Sequence, residues 1–420
     1  MLKRNILANY LGTGAAVLAP VLALPWYLGA LGAQQFGLIS FVVMLQALLG
    51  LLDAGMSQAL VREVTVRHAA TAAGRRNTAS LLFGFERIYW LSGLAAGTFT
   101  WLLADVIVLH WLHLDSASAS LGRTAITGAA VIFAVQFPGS IYRSLLVGIQ
   151  SQVTLNGIVL VASLLRHAGG VAVVLAWPSV LAYLLWHAAM ALLETLARGR
   201  FAWAAVGIRR SQVQWNAPDL QPVWRLVASM SGVTLLGALT VQMDKIILSR
   251  IAPLEQFGFY AMASVVATGM LQLVYPLVQA MLPRAIQLRE NSAGLRQLNI
   301  SLTKLIFLLV IVCSVIFAIF GKWLLMAWIR HEQTVAVVYP VLSMLLAGTA
   351  LNAFYNIGYM NWMVFKRVDK ILFVNILSLA LAVLVIPFLV SLHGVQGAAF
   401  GWIVINAIGF AVSLDWIKRY

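Results

Sequence analysis

The chain has 420 residues, 62% of them hydrophobic and 10% charged, where an ordinary soluble domain carries about 25% charge. Its 28 Lys and Arg against 13 Asp and Glu leave a formal charge of +15, and its mean hydropathy is +0.91. This excludes a soluble enzyme, a disordered tail and a disulfide scaffold. A soluble surface needs more charge than this, and the single cysteine, Cys313, has no partner in the chain. The basic excess invites a nucleic-acid reading, but on so apolar a chain it is a topology signal instead. The fold class expected is an all-α polytopic membrane protein.

A spanning helix needs about 20 mostly apolar residues. About twelve transmembrane helices are predicted, in chain order: Ile6 to Leu31, Phe36 to Leu60, Leu81 to Leu103, Thr124 to Val147, Val153 to Leu175, Ser179 to Leu196, Val223 to Ser249, Gln256 to Leu282, Ile300 to Leu325, Val335 to Phe365, Ile371 to Leu392, and Gln396 to Trp416. The runs are continuous, unlike the short alternating strands of an outer-membrane barrel. Met1-Leu2-Lys3-Arg4 precedes an apolar run too long for the core of a signal peptide, so it reads as an uncleaved first span. The longest inner segment, Ala197 to Pro222, carries Arg209-Arg210 and Pro218. It is the expected linker between an N-terminal lobe, residues 1–210, and a C-terminal lobe, residues 211–420. The longest outer segment, Ala104 to Arg123, holds His110, His113 and Asp115.

With the N-terminus in the cytoplasm and the spans alternating, 21 of the 28 basic residues fall on the inner side. Among them are Lys3, Arg4, Arg62, Arg67, Arg75, Arg76, Arg143, Arg198, Arg200, Arg225, Lys304, Lys418 and Arg419. Four fall outside, namely Arg123, Arg250, Lys322 and Arg330, and three within spans, namely Arg87, Arg166 and Lys245. A missed span would invert the bias for everything downstream, so the split supports twelve spans with both termini inside.

The halves echo each other at an offset of 221 residues. Gln35-Phe36-Gly37 opens the second span and Gln256-Phe257-Gly258 the eighth. At their far ends Gln58-Ala59-Leu60-Val61 matches Gln279-Ala280-Met281-Leu282, without a gap. Six spans per half is an even number, so both halves enter from the same side. That arrangement is a parallel repeat, familiar in secondary transporters.

Tyr27-Leu28-Gly29, Gln35-Phe36-Gly37-Leu38, Leu52-Asp53-Ala54-Gly55-Met56-Ser57 and Arg62-Glu63 together resemble the polysaccharide-biosynthesis, or Wzx-type O-antigen flippase, family of the multidrug/oligosaccharidyl-lipid/polysaccharide exporter superfamily. Asp244-Lys245 before Phe257-Gly258-Phe259-Tyr260, and Val395-Gln396-Gly397-Ala398-Ala399, fit the start of that family's second half and its last span. The resemblance implies two parallel-related six-helix lobes around a central cavity. It implies a bacterial cytoplasmic (inner) membrane location. It also implies a transporter that moves an undecaprenyl-diphosphate-linked oligosaccharide repeat unit across the membrane by alternating access, for O-antigen or other surface polysaccharide. The partners expected are that polyprenyl-diphosphate lipid, membrane lipids and other polysaccharide-assembly membrane proteins. No nucleic acid and no cofactor is expected beyond a coupling ion, H⁺ or Na⁺.

A charge at mid-bilayer costs about 2.5–3.5 kcal/mol on insertion scales, so each one needs a reason. Arg166 lies 14 residues beyond Gln152, about 21 Å along a helix. It reads either as a cavity residue forking onto a diphosphate or acidic sugar, or as half of a structural pair. His167 beside it reads as packing, and Glu194 as an inner-end residue reaching for the interface. Asp53 and Arg87 lie at similar depths, so they are candidates to pair, with Glu86 as the next-door alternative. Asp53, Glu86 and Asp244 are also the gate or ion-coupling candidates. Asp244 and Lys245 are neighbours in sequence and so are expected on different helical faces. Lys245, Arg87, Arg143 and Lys304 join Arg166 as anion-binding candidates, although Arg143 and Lys304 also serve topology. Asn352, Asn356 and Tyr359 share one face of the tenth span and read either as a sugar-facing wall or as interhelical hydrogen bonding. Pro20, Pro25, Pro138, Pro276 and Pro387 interrupt apolar spans, where they remove backbone bonds and allow kinks.

No GxxxxGK[ST] loop is present, so nucleotide hydrolysis is not expected as the power source. No catalytic constellation and no cluster with metal-site spacing is found, and His110, His113 and Asp115 are too sparse to read as a metal site. The alternatives to a flippase are a multidrug or other cation-coupled exporter of the same fold, and a polytopic enzyme acting on lipid-linked glycans.

Overall fold

A computed structural model describes residues 2–53, 55–67, 72–213 and 221–419. Ala54 and Pro218 lie outside the described residues, as do the side chains of Lys3, Arg4, Arg67, Arg225, Lys418 and Arg419. No strand occurs among the described residues. The helices are α1 (Leu2–Leu31), α2 (Ala33–Leu49), α3 (Met56–Arg67), α4 (Ala72–Leu102), α5 (Ala104–Val106), α6 (Ser116–Gln136), α7 (Gly139–Gly148), α8 (Gln152–Ala176), α9 (Val180–Val206), α10 (Gln221–Ile251), α11 (Leu254–Gln287), α12 (Ser292–Ile329), α13 (Glu332–Val364), α14 (Val368–Ser413) and α15 (Asp415–Arg419). They form two compact units, Met1–Leu235 and Leu236–Tyr420, and α10 runs through the division.

Nine described stretches are long and apolar enough to cross a membrane. A tenth is added if α4 and its continuation Ala104–Trp111, bent by 51°, count as one. Eleven of the twelve expected spans fall on these stretches, with three adjustments, and the seventh does not. The second span is α2 and α3 joined through a tight turn at Gly50–Asp53. The fourth runs from Ser116 to Gly148 and is broken at Pro138 between α6 and α7. The last two share one stretch, Val368–Ile417. The seventh falls in α10, part of which lies outside the described side chains.

The shared stretch contains α14, which has 46 residues. A straight helix of that length would run about 69 Å, more than twice the roughly 30 Å of hydrocarbon in a bilayer. The helix does not run straight. Gly394 takes φ 56° and ψ −138°, a conformation that a side chain resists. The break falls between Leu392 and Gln396, where the sequence places the boundary between its last two spans.

The repeat is visible in local structure. Gln35 and Gln256 each stand two residues into their helices, and Phe36 and Phe257 are both buried. Further along, the α2–α3 break includes Gly55 at φ 80°, and the residue 221 positions later is Pro276, inside α11. Both copies therefore carry a helix-perturbing residue at one register, but only the first breaks.

In the first unit α8 lies along α1 and α9, α6 packs on α4 and α9, and α3 packs on α7. Phe85, Tyr89, Phe133, Phe137 and Tyr142 anchor the core between α4, α6 and α7. In the second unit α13 is central, flanked by α11, α12 and α14. Its core includes Val274, Leu302, Ile306, Ala353 and Met360. The outward faces are apolar: Phe307, Leu308, Ile319 and Trp323 on α12 and Leu384 and Phe388 on α14 are exposed. Surfaces of this size and polarity belong in lipid. The protein is a multi-pass membrane protein.

Polar contacts lock α13 to its neighbours. Asn299 of α12 and Asn361 of α13 exchange amide hydrogen bonds of 3.0 and 3.1 Å in a fully buried setting. Asn299→Leu would leave Asn361 Oδ1 without its donor, although Asn361 Nδ2 keeps its bond to the Ile357 carbonyl, at a cost of about 1–3 kcal/mol. Replacing both asparagines by leucine should recover most of that loss. Thermal unfolding in detergent of the two single variants and the double variant measures the difference.

Candidate functional site

The first unit concentrates its buried charge on α8 and α9. Arg166 Nη2 donates to Glu194 Oε2 at 2.6 Å, across the two helices. One turn further along α9, Arg198 Nη2 donates to the other oxygen, Glu194 Oε1. The three side chains are only 13–17% exposed. Arg143, on α7, is exposed, and its positive charge is felt at Arg198. One carboxylate thus serves two guanidiniums, which leaves the site with an excess of positive charge. The Nε atoms of Arg166 and Arg198 are buried and have no hydrogen-bond acceptor. Unpartnered buried donors on a positive cluster favour an anion.

Arg166 is therefore both paired and cationic in its surroundings, and the two readings made from sequence are not exclusive. Glu194 was expected at the interface, but it forms the centre of the cluster. The i, i+4 spacing of Glu194 and Arg198 is the sequence signal for it. What sequence lacks is that α8 brings Arg166 against the same carboxylate.

Beyond Arg166 lies an aromatic box. Tyr183 and His187 stack at 3.8 Å between centroids, and Tyr27 meets Tyr183 edge-on at 5.1 Å. The Tyr27 hydroxyl donates to the His167 carbonyl at 3.3 Å. His187 Nδ1 lies 2.9 Å from the Tyr183 carbonyl, so it carries the ring proton in the neutral form. His167 packs here with its ring 5.9 Å from that of His187.

The other carboxylates are held by tyrosines. Asp53 Oδ1 accepts from the hydroxyls of Ser57, at 2.8 Å, and Tyr89 of α4. Its other oxygen accepts from the Ser57 amide at 3.4 Å. Asp53 therefore starts α3 and ties it to α4. Arg87, read from sequence as a partner for Asp53, lies over the Phe83 ring at 4.3 Å. Glu86 is buried and accepts from the Tyr142 hydroxyl. Arg210 stands 3.2 Å from its second oxygen, close enough for an ion pair but not aligned as a hydrogen bond.

In the second unit the buried Asp244 accepts from the Tyr260 hydroxyl at 2.6 Å. Asp244 and Lys245 do meet, contrary to the expectation from helical faces: Lys245 Nζ lies 3.2 Å from Asp244 Oδ1. The flexible lysine stem curls back along the helix, which Cβ directions alone do not reveal. Lys304 is exposed on α12. Asn352 donates to Asn406 of α14 at 2.7 Å, and Asn356 donates to the Asn352 carbonyl at 2.7 Å. Tyr359 lies beside Tyr355, with ring centroids 6.0 Å apart. The Asn352–Asn356 face thus joins α13 to α14.

Ahead of α6, Asp115 caps the helix by accepting from the Ser118 amide at 2.9 Å. That bond holds its carboxyl below the usual range. No group of three metal-ligating side chains occurs among the described residues.

Long apolar helices with paired charges among them define a multi-pass membrane protein. Residues 2–289 match the family described as "Polysaccharide biosynthesis protein", and the chain belongs to that family. It is 19% identical to a Shigella flexneri protein named "Putative O-antigen transporter", covering 99% of this chain and 97% of that one. Among solved structures it is similar to the lipid II flippase MurJ in an inward closed conformation, with a TM-score of 0.75, 13% identity, and coverage of 99% of this chain and 87% of that one. It is also similar to an inward-facing multidrug resistance MATE family transporter of the MOP superfamily, with a TM-score of 0.67, 15% identity, and coverage of 99% and 94%. At these identities the structural likenesses speak for the fold.

Proposed function

We propose that the protein is a flippase for a polyprenyl-diphosphate-linked oligosaccharide, moving a surface-polysaccharide repeat unit from the inner to the outer leaflet of a bacterial cytoplasmic membrane. The observation that carries this reading is the pair of arginines, Arg166 and Arg198, held on the single carboxylate of Glu194. A diphosphate crossing hydrocarbon needs cations along its way, because bare charge there is costly. A guanidinium meets phosphate oxygens two at a time. Family membership and the O-antigen transporter relative support the same substrate class.

In this reading the chain works as two lobes, residues 1–210 and 211–420, with both termini in the cytoplasm, and it exposes its site to each face in turn. Arg166 is the central anion ligand. Arg87, Arg143, Lys245 and Lys304 are accessory cations. Asp53, Glu86 and Asp244 are the carboxylates available to a coupling ion, H⁺ or Na⁺. Asn352, Asn356 and Tyr359 offer hydrogen bonds to sugar. Other polysaccharide-assembly membrane proteins would supply the lipid on one side and consume it on the other.

The test is translocation of a defined polyprenyl-diphosphate oligosaccharide in proteoliposomes, with and without a proton or sodium gradient. The expected result is movement that requires the diphosphate. Equal movement of an analogue with an uncharged linker in place of the diphosphate would overturn the assignment.

A further inference from the structure

The face of α8 and α9 that carries Glu194 is also a groove. It encloses about 620 Å³, with Gly157, Val161 and Leu165 on one wall and Leu193, Glu194 and Phe201 on the other. Along α8 it extends from Val153 to Leu165, about 18 Å at the helical rise. Its lining is apolar except near Glu194 and Thr154. Gly157 widens it: a side chain there would meet open space.

We propose that this groove holds the prenyl chain of the lipid substrate while the neighbouring arginines hold its diphosphate. The inference rests on the flippase reading and adds the place of the lipid tail. Three observations carry it. Groove and cluster share Glu194, so one pair of helices presents an apolar channel and a cationic site side by side. The cluster holds an excess of positive charge and unpartnered buried donors, complementary to a diphosphate. Finally, Arg166 lies about 21 Å along α8 from its inner end. A resting phospholipid keeps its phosphate at the interface and does not reach that depth. A lipid whose headgroup is drawn to Arg166 must bring its chain along, and the groove runs parallel to that path. A guided chain also limits the contact between the diphosphate and the acyl chains of the bilayer.

The experiment compares binding of undecaprenyl diphosphate, inorganic pyrophosphate and phosphatidylglycerol to the full-length protein in detergent by native mass spectrometry. Gly157→Phe starts from a position where a Cβ meets no atom within 4 Å and projects its ring into the groove, and Val161→Gln makes its wall polar as an independent variant. Both are expected to weaken undecaprenyl diphosphate at least tenfold and to leave pyrophosphate unchanged. Unchanged undecaprenyl diphosphate binding in both variants would overturn the groove assignment. So would phosphatidylglycerol binding as tightly as undecaprenyl diphosphate and with the same sensitivity. Pyrophosphate binding that is indifferent to Arg166→Gln would instead count against the anion site, which separates failure of the flippase reading from failure of the groove.

Discussion

Glu194→Leu is expected to be far more damaging to folding than Arg166→Leu, although the two residues form one ion pair. Glu194 serves two guanidiniums at once. Removing it leaves Arg166 and Arg198 in a half-buried site with no counter-charge, and breaking such a pair costs about 3–5 kcal/mol. Removing Arg166 leaves Glu194 still bonded to Arg198, so no charge is stranded. Arg166→Leu should therefore insert at normal yield, with a melting temperature close to that of the unmodified protein. Its export of lipid-linked glycan should nevertheless fall at least tenfold, because the deepest cation of the cluster is gone. Melting in detergent and surface-glycan display, in cells lacking any other copy, separate the two effects. Normal display with Arg166→Leu would mean that the arginine is only structural.

Gly394→Val should destabilise the last helical stretch. At φ 56° and ψ −138° a β-branched residue is held in a backbone region it avoids, at a cost of about 1–3 kcal/mol. A Cβ at Gly394 would meet open space, so the cost lies in the backbone and not in a clash. His393→Ala, one residue earlier and exposed, is the control and should have almost no effect. A loss of thermal stability confined to Gly394→Val would show that the turn, not its neighbourhood, limits this region. Equal stability of both variants would contradict that view.

The membrane helices were legible because their signal is local. Some 20 apolar residues in a row cost too much to expose to water and satisfy their own backbone in a helix. The breaks were partly legible for the same reason: Pro138 and Gly394 stand where the chain bends. The Asp53 break was marked by glycine at position 55, but nothing local announces that Tyr89 would take its carboxylate.

The candidate site was legible residue by residue and not as a constellation. Arg166 stood out because a charge so deep needs an explanation. Glu194 did not, since a carboxylate 14 residues beyond the start of α9 reads from sequence as one near the end of a span. Asn352 and Asn356 were recognised as one face, yet whether that face met sugar or another helix depended on Asn406, which lies 54 residues from Asn352.

The sequence by itself determined that this protein lives in a membrane, roughly where it crosses, and which charges are anomalous there, because hydrophobicity and helical rise act over one or two turns. Only the tertiary structure decided what those charges touch. A side chain's partner is chosen by which helix is packed beside it, and α8 and α9 bring Arg166, Glu194 and Arg198 into one cluster. The basic excess, read from sequence as a topology signal, thus includes a small cationic cluster that sequence could nominate but not assemble.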